Sequence, residues 1–234
     1  ILSLNLKSSF QEYRNSKIDD YKLAVKYLLE KGYFVIRMGN IVEKKLEIDD
    51  KCFLDYSCSN LKTSFLDIFL MGNSYFNLVA ESGLKDVSYV YDIPFCFVNC
   101  PFPKITTNWK AKSLYTYKKF KSKSLNRMLT FNEIKFKMDV NNKANKNKRI
   151  SSYNSVFFFQ EDSDIEIIDN TPEEILEATK EMTLRLKENS WNEKLTTMEE
   201  KFWQNFPFDP ILHSKKTRSR VCQHYIINNK ELLR

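Results

Sequence analysis

The chain has 234 residues, of which 42% are hydrophobic and 29% charged, as in an ordinary soluble globular protein. Its 4 glycines and 6 prolines exclude collagen-like and low-complexity material, and 14% aromatic residues exclude general disorder. No apolar run approaches the roughly 20 residues of a transmembrane helix. The 5 cysteines lack a second Cys/His pair at zinc spacing, so we expect reduced thiols in a cytoplasmic protein.

The net charge of +7 is concentrated in residues 104–150. That stretch holds 14 Lys and Arg against Glu133 and Asp139, whereas the rest of the chain has 23 basic and 28 acidic residues. A solvated, lysine-rich surface is one interpretation. A patch for anionic lipid headgroups or phosphate-bearing substrates is another. Nucleic acid is disfavoured as a partner because no recognised binding motif accompanies the charge.

Hydrophobic periodicity predicts alternating strands and helices over the first hundred residues. Leu2, Leu4 and Leu6 alternate with polar residues, which predicts a strand with one buried face. The elements that follow are a helix at 18–29, strands at 33–36 and 52–54, a helix at 62–71 with Phe65, Ile68 and Phe69 inward, a strand at 75–80, a helix at 82–91 and a strand at 93–98.

The order of these elements and the apolar later strands predict an α/β fold with a Rossmann-like, doubly wound parallel sheet and C-terminal helices. We expect residues 1–103 to form the core, 104–150 a basic, partly irregular insertion that is loose at 141–147, and 151–234 to complete the same domain. Strands are predicted at 156–159 and 165–168, a helix begins at the Thr171 capping box, and further helices are expected at 192–205 and 215–233.

Ligands of an open parallel sheet bind beyond the carboxyl ends of its strands, which here are followed by loops with polar residues. Arg37 follows an apolar strand and suits a phosphate, although pairing with a nearby carboxylate is equally reasonable. Ser82-Gly83 opens a predicted helix whose free amides favour a pyrophosphate, or Ser82 serves only as its N-cap. Walker A, G-x-G-x-x-G and G-x-S-x-G motifs do not occur.

An ordered series of short blocks resembles a family of bacterial glycosyltransferases of surface-polysaccharide biosynthesis. The resemblance covers roughly residues 1–100 and resumes near 129–134 and 170–172. The blocks are Tyr13-Arg14-Asn15-Ser16, Gly32-Tyr33-x-Val35-Ile36-Arg37-Met38-Gly39, Asp55-Tyr56-Ser57, Ser64-Phe65-Leu66-Asp67-Ile68-Phe69-Leu70, Glu81-Ser82-Gly83-Leu84, Pro94 with Val98-Asn99, Leu129-Thr130-Phe131-x-Glu133-Ile134 and Asn170-Thr171-Pro172.

The resemblance implies the C-terminal, donor-binding half of a GT-B enzyme, preceded by an N-terminal acceptor domain. It implies diphosphate contacts from the Arg37–Gly39 loop and from Ser82 and Gly83, and a base or ribose contact from Asp55, Tyr56 and Ser57. Arg14 and Asn15 would be donor or cleft residues, and Lys7 a donor contact. The chain departs from the family at Asn5-Leu6-Lys7-Ser8, where the family has a His-Val-Arg-Asp-like segment, and at Glu81, whose carboxylate would repel phosphates.

The expected activity is transfer of a sugar from a nucleotide-sugar donor to a surface-glycan or lipid-linked acceptor, without a metal ion or permanently bound cofactor. The catalytic residues are not identified by the sequence. We expect a cytoplasmic location, with peripheral attachment to the inner membrane as an alternative. Two other functions stay open: a non-catalytic nucleotide-binding or regulatory module, and a membrane-surface scaffold that uses lysines 118, 119, 121 and 123.

Overall fold

A computed structural model describes residues 13–40, 42–101, 110–144, 162–206 and 218–233. The strands are β1 (Val35–Ile36), β2 (Phe53–Leu54), β3 (Asn77–Val79), β4 (Phe95–Cys100), β5 (Ser113–Tyr117), β6 (Lys119–Ser122), β7 (Arg127–Met128), β8 (Ile165–Ile168) and β9 (Arg220–Val221). The α-helices are α1 (Lys22–Glu30), α2 (Ser64–Gly72), α3 (Lys85–Val90), α4 (Phe131–Ala144), α5 (Pro172–Glu188), α6 (Thr197–Asn205) and α7 (Gln223–Asn228). Short 3-10 helices occupy Ile18–Tyr21, Tyr56–Cys58 and Lys230–Leu233.

The fold is α/β and is built around a four-stranded parallel sheet with the order β3-β4-β5-β9. A separate pair, β1 and β2, is also parallel. A third sheet with the order β7-β6-β8 is antiparallel, and it begins directly after β5 because only Lys118 separates β5 from β6. The parallel sheet and its helices confirm the predicted α/β class.

The centre of the parallel sheet is covered on both faces, since every residue of β4 and β5 is buried. Phe95 and Phe97 alternate with Cys96 along β4, so the two rings share one face, where both contact the ring of Tyr115. The opposite face carries Cys96, whose thiol pKa is raised by burial and by Glu181 of α5. The strand predicted from the apolar run is therefore confirmed, and a helix packs against it.

Helix α5 begins where the capping box predicts. The Thr171 hydroxyl accepts a hydrogen bond from the Glu174 amide (3.2 Å), and the Glu174 carboxylate accepts one from the Thr171 amide (3.0 Å). The helix ends at Asn189 in a left-handed conformation, with φ +52°. The buried residues of α5 include Ile175, Thr179 and Met182. Local side-chain chemistry thus sets both ends of this helix.

The basic region is more ordered than its sequence predicts. Residues 110–144 supply a central strand of the parallel sheet, β5, together with β6, β7 and α4. The parallel sheet therefore extends past residue 103, and helix α4 reaches Ala144, within the segment that we expected to be loose. The C-terminal helix predicted at 215–233 is instead β9, α7 and a 3-10 turn, because Val221 joins the sheet beside Tyr115.

Helix α2 presents the opposite face from the predicted one. Phe65 is 72% exposed and Phe69 and Ile68 are also exposed, whereas Met71 is the buried residue. Gly72 lies against the ring of Tyr91 at the end of α3, where an added Cβ would come within 3.2 Å. The predicted inward face of this helix was therefore wrong.

Three predicted features lie outside the described residues: the strand at 2–6, the strand at 156–159 and the end of the loose segment at 145–147. Within the part of the chain that is described, none of the helices combines the length and apolar character needed to cross a bilayer. All five cysteines are free thiols, and Cys96, Cys100 and Cys222 are buried.

Candidate functional site

Three parallel neighbours, β3, β4 and β5, bring their carboxyl ends to one edge of the sheet. Glu81 lies just after β3, Asn99 near the end of β4 and Lys118 directly after β5. We call this set of positions the carboxyl edge. It corresponds to the edge at which the sequence predicts ligand binding, and polar side chains collect there.

The segment that carries Arg14 and Asn15 is bound to the carboxyl edge from two sides. Arg14 Nη2 donates to Glu81 Oε1 at 3.3 Å. Lys118 Nζ donates to the main-chain oxygen of Asn15 at 2.6 Å. These two predicted site residues therefore do reach the ends of β3 and β5, although 67 and 103 residues separate the partners in the sequence.

Glu81 lies between two cations. Its Oε1 atom is 3.3 Å from Arg14 Nη2 and 3.9 Å from Lys85 Nζ. Lys85 also contacts the exposed carboxylate of Asp86 at 2.8 Å. Burial lowers the pKa of Lys85, but the carboxylates of Glu81 and Asp86 outweigh it and hold that pKa above its usual value. The repulsion of phosphate expected from Glu81 is thus opposed by Arg14 and Lys85, and with Asp86 included the four side chains carry no net charge.

The turn after Glu81 is open. Within the described residues, the amides of Ser82, Gly83 and Leu84 have no hydrogen-bond acceptor, and Ser82 and Gly83 are exposed. A Cβ added at Gly83 would meet no atom within 4 Å. Helix α3 begins only at Lys85 and has 6 residues, so the turn and its cations, rather than a helix dipole, make this place suitable for an anion.

Arg37 is paired with Asp55. Its Nη1 atom donates to Asp55 Oδ2 and to the main-chain oxygen of Lys44, each at 2.8 Å. Asp55 also accepts hydrogen bonds from the Ser57 hydroxyl and from the Leu46 amide at 2.7 Å. Burial raises the pKa of Asp55, but these donors outweigh it and keep the pKa below its usual value. This arrangement matches the alternative in which Arg37 pairs with a carboxylate.

The other predicted residues of this loop are packed. Gly39 has φ +155°, and a Cβ there would lie 2.9 Å from Val42 Cγ1 and 3.5 Å from Ser57 Cβ. Tyr56 is 1% exposed, and its hydroxyl accepts a hydrogen bond from the Thr63 amide at 3.0 Å. Asp55, Tyr56 and Ser57 are all buried, so in this structure they support the loop from within.

The Arg37 loop and the 81–85 turn form two separate clusters in the described residues. No hydrogen bond or ion pair between described residues joins them, and β1 and β2 pair only with each other. Lys44 instead joins the Arg37 loop to the 3-10 turn before α1, since its main-chain oxygen binds Arg37 and its ammonium pairs with Asp19. That both turns contact one diphosphate stays a prediction.

A buried pair of asparagines closes the centre of the carboxyl edge. The Asn99 amide donates to Asn170 Oδ1 and the Asn170 amide donates to Asn99 Oδ1, both at 2.6 Å. Asn99 takes a left-handed conformation, φ +52°, at an irregularity of β4. Asn170 also accepts from the Thr116 hydroxyl (2.7 Å) and donates to the Tyr117 main-chain oxygen (2.9 Å). Sequence analysis missed this pairing, although both asparagines stand in the blocks that carry the resemblance.

Two lysines of the basic region are internal. Lys118 Nζ lies 2.7 Å from Asp169 Oδ1, and its side chain is 2% exposed. Lys119 Nζ donates to both oxygens of Glu174 at 2.8 Å, and Asn229 donates to the same carboxylate at 2.9 Å. Neither lysine is available to a surface patch, so the scaffold alternative loses two of its four lysines.

Lys7, the remaining predicted donor contact, lies outside the described residues. Among the described residues, no group of three or more His, Cys, Asp or Glu side chains is placed to hold a metal ion. Comparison of the chain with family models, with curated proteins and with solved structures found no match in any of the three.

Proposed function

We propose that this chain is the donor-binding part of a glycosyltransferase that transfers a sugar from a nucleotide-sugar to a surface-glycan or lipid-linked acceptor. The sequence resemblance supplies the reaction class. The four-stranded parallel sheet is compatible with the Rossmann-like C-terminal half of a GT-B enzyme, and ligands of such sheets bind at the carboxyl edge. In this proposal the acceptor is bound by a second, N-terminal domain.

The observation that carries the proposal is the open turn after β3 with two cations beside it. Among the described residues the three successive amides at 82–84 have no acceptor and the space at Gly83 is open, which allows a diphosphate to approach the main chain. Arg14 and Lys85 provide positive charge within 4 Å of the carboxylate that precedes the turn. Amides and cations at this place would stabilise the charge that develops on a departing nucleoside diphosphate.

Substitution of Gly83 tests this site directly. Because a Cβ added at Gly83 meets no atom of the described residues within 4 Å, Gly83→Val should leave the fold intact while it fills the space above the turn. We expect calorimetric titration to show binding of UDP or GDP to the wild type and at least roughly tenfold weaker binding to Gly83→Val. Unfolding free energies of the two proteins should agree within about 0.5 kcal/mol.

A control places the same valine side chain in an exposed turn elsewhere. Ser163 lies in the turn before β8, and Ser163→Val should change neither nucleotide binding nor the fold. Equal nucleotide affinity of Gly83→Val and the wild type would remove the 81–85 turn from the site. Absence of binding to the wild type would contradict the donor-binding function itself.

A second candidate function is a non-catalytic nucleotide-binding module, and two observations favour it. Glu81 places a carboxylate in the turn, and Arg37 is engaged by Asp55. Release of free nucleoside diphosphate from a nucleotide-sugar by the native protein at full length distinguishes the two. Binding without such release, in the presence of candidate acceptors, would favour the module.

A further inference from the structure

Glu81 has a buried carboxylate oxygen to which none of the described residues donates a hydrogen bond. Its side chain is 7% exposed, and Oε1 is the atom near Arg14 and Lys85. Oε2 is buried and accepts no hydrogen bond from any described residue. A buried carboxylate oxygen without a donor is costly, and most such atoms in folded proteins are satisfied. A group from outside the chain is therefore a reasonable partner for Oε2.

The chemistry of that partner is restricted. An ionised carboxylate only accepts hydrogen bonds, so a phosphate oxygen cannot satisfy it. A hydroxyl can, and a nucleotide-sugar carries hydroxyls on its ribose and on its sugar, on either side of the diphosphate. We propose that Glu81 is a specificity-determining residue whose Oε2 accepts a hydrogen bond from a ligand hydroxyl beside the diphosphate. This inference rests on the proposed function.

The two contacts of the Glu81 carboxylate are longer than ordinary charge-assisted hydrogen bonds. Charge-assisted N–H···O bonds are usually about 2.7–2.9 Å long. The distances from Oε1 to Arg14 Nη2 and to Lys85 Nζ are 3.3 and 3.9 Å, which are both longer. This role would explain why an acidic residue occupies the turn. The two cations offset the negative charge of Glu81 near a phosphate, while its Oε2 atom stays available to a ligand hydroxyl.

The test compares Glu81→Gln with the wild type on probes with and without hydroxyls. Inorganic pyrophosphate has none, and the neutral variant removes a negative charge beside it, so pyrophosphate should bind Glu81→Gln more tightly. UDP or GDP gains from the same removal of charge, but its hydroxyl loses a charged acceptor; we expect the second effect to prevail and the nucleotide to bind the variant about tenfold more weakly. We therefore expect the affinity for pyrophosphate to rise and the affinity for the nucleotide to fall. Retained pyrophosphate binding shows that the variant is folded.

Further probes identify the source of the hydroxyl. If the weakening seen with UDP or GDP disappears with the 2′-deoxynucleotide, the ribose supplies it. If the weakening appears only with UDP-glucose or GDP-mannose and not with the free diphosphates, the sugar supplies it. Either result supports the proposal.

Glu181→Gln is the matched control, since Glu181 is also largely buried and paired with an arginine, Arg185, but lies well along α5. It should leave all probes unchanged. A shift of the same direction and size for pyrophosphate, free nucleoside diphosphates and nucleotide-sugars in Glu81→Gln, or no shift with any of them, would overturn the inference while the proposed function stands. Failure of every probe to bind the wild type would instead refute the proposed function, and this inference with it.

Discussion

Asp55 is held by three donors from three different parts of its surroundings: the guanidinium of Arg37, the hydroxyl of Ser57 and the amide of Leu46. The Arg37 side chain is 10% exposed and that of Asp55 is 3% exposed, so this ion pair is largely removed from water. Removal of one partner from such a pair leaves the other charge buried and only partly satisfied. The two side chains therefore stabilise the loop jointly.

Arg37→Ala should reduce the free energy of unfolding by about 2 kcal/mol at neutral pH, because Asp55 keeps two of its three donors. Urea denaturation measures the change. Arg127 is a useful control, since it forms a two-point ion pair with Glu133 at the surface, with side chains 49% and 35% exposed. Arg127→Ala should have no measurable effect on stability. Similar results for the two variants would contradict the structural role of Arg37.

At the scale of elements, α2 shows that an almost wholly apolar helix sequence does not reveal which side of the helix is buried. The helix has the sequence Ser-Phe-Leu-Asp-Ile-Phe-Leu-Met-Gly, which is apolar on almost every side. A helical stripe is recognised by contrast between an apolar and a polar face, and this helix offers almost none. Its orientation is decided instead by its neighbour α3, against which Gly72 packs.

The exposed and buried sides of α2 predict opposite responses to substitution. Phe65→Ser should change the unfolding free energy by no more than about 0.5 kcal/mol, because Phe65 is mostly exposed. Met71→Ala should cost about 2–4 kcal/mol, since it leaves a cavity under the helix. Chemical denaturation of both variants gives the comparison. The reverse order would restore the inward face predicted from the sequence.

The sequence is sufficient for elements whose pattern is local. Strand β4 is predicted from its apolar run, and the start of α5 is predicted from Thr171 and Glu174, three residues apart. Strand β5 was not recognised because lysines surround it, and the carboxylates that neutralise Lys118 and Lys119 lie about fifty residues later in the chain. Burial of a lysine depends on a distant partner, which no local pattern reveals.

In the candidate site, too, some features follow from local sequence and others depend on distant residues. The loops after β1, β2 and β3 follow strands that the sequence predicts, because the end of an apolar run marks where each loop begins. Pairing of Arg37 with a carboxylate was one of two alternatives, but Asp55 as its partner and the pairing of Arg14 with Glu81 were not predicted, since these contacts are 18 and 67 residues apart. Because of these two pairs, Arg37 stabilises its own loop, whereas Arg14 lies beside the open 81–85 turn.

At the scale of the whole molecule, the buried Glu174 carboxylate connects three regions. It binds Lys119 of β6 with both oxygens, caps α5 through the Thr171 amide and accepts from Asn229 after α7. Burial raises the pKa of Glu174, but Lys119 and Asn229 outweigh it and lower the pKa below its usual value. The stability of the whole chain is therefore coupled to ionisation of this one group.

The sign of that coupling determines the response to acid. A carboxyl with a lowered pKa in the folded state binds its proton later than it does in the unfolded chain. Its stabilising contribution is complete above the unfolded pKa, near 4.5, and is lost as the pH falls through the lower folded pKa. Glu174→Gln should lower the unfolding free energy by about 3 kcal/mol at pH 7 and should make it less sensitive to pH below 5.

Salt separates this buried contribution from surface ion pairs. Arg127 lowers the pKa of Glu133 to about 2, yet that pair is exposed and its effect is screened by salt. In urea denaturation from pH 7 to pH 2.5, the difference between wild type and Glu174→Gln should persist in 0.5 M salt (roughly a 4 Å screening length). The difference for Glu133→Gln should be small and should fade. If both differences faded alike, the Glu174 network would contribute no more than a surface pair, and Lys119 would not be buried in solution.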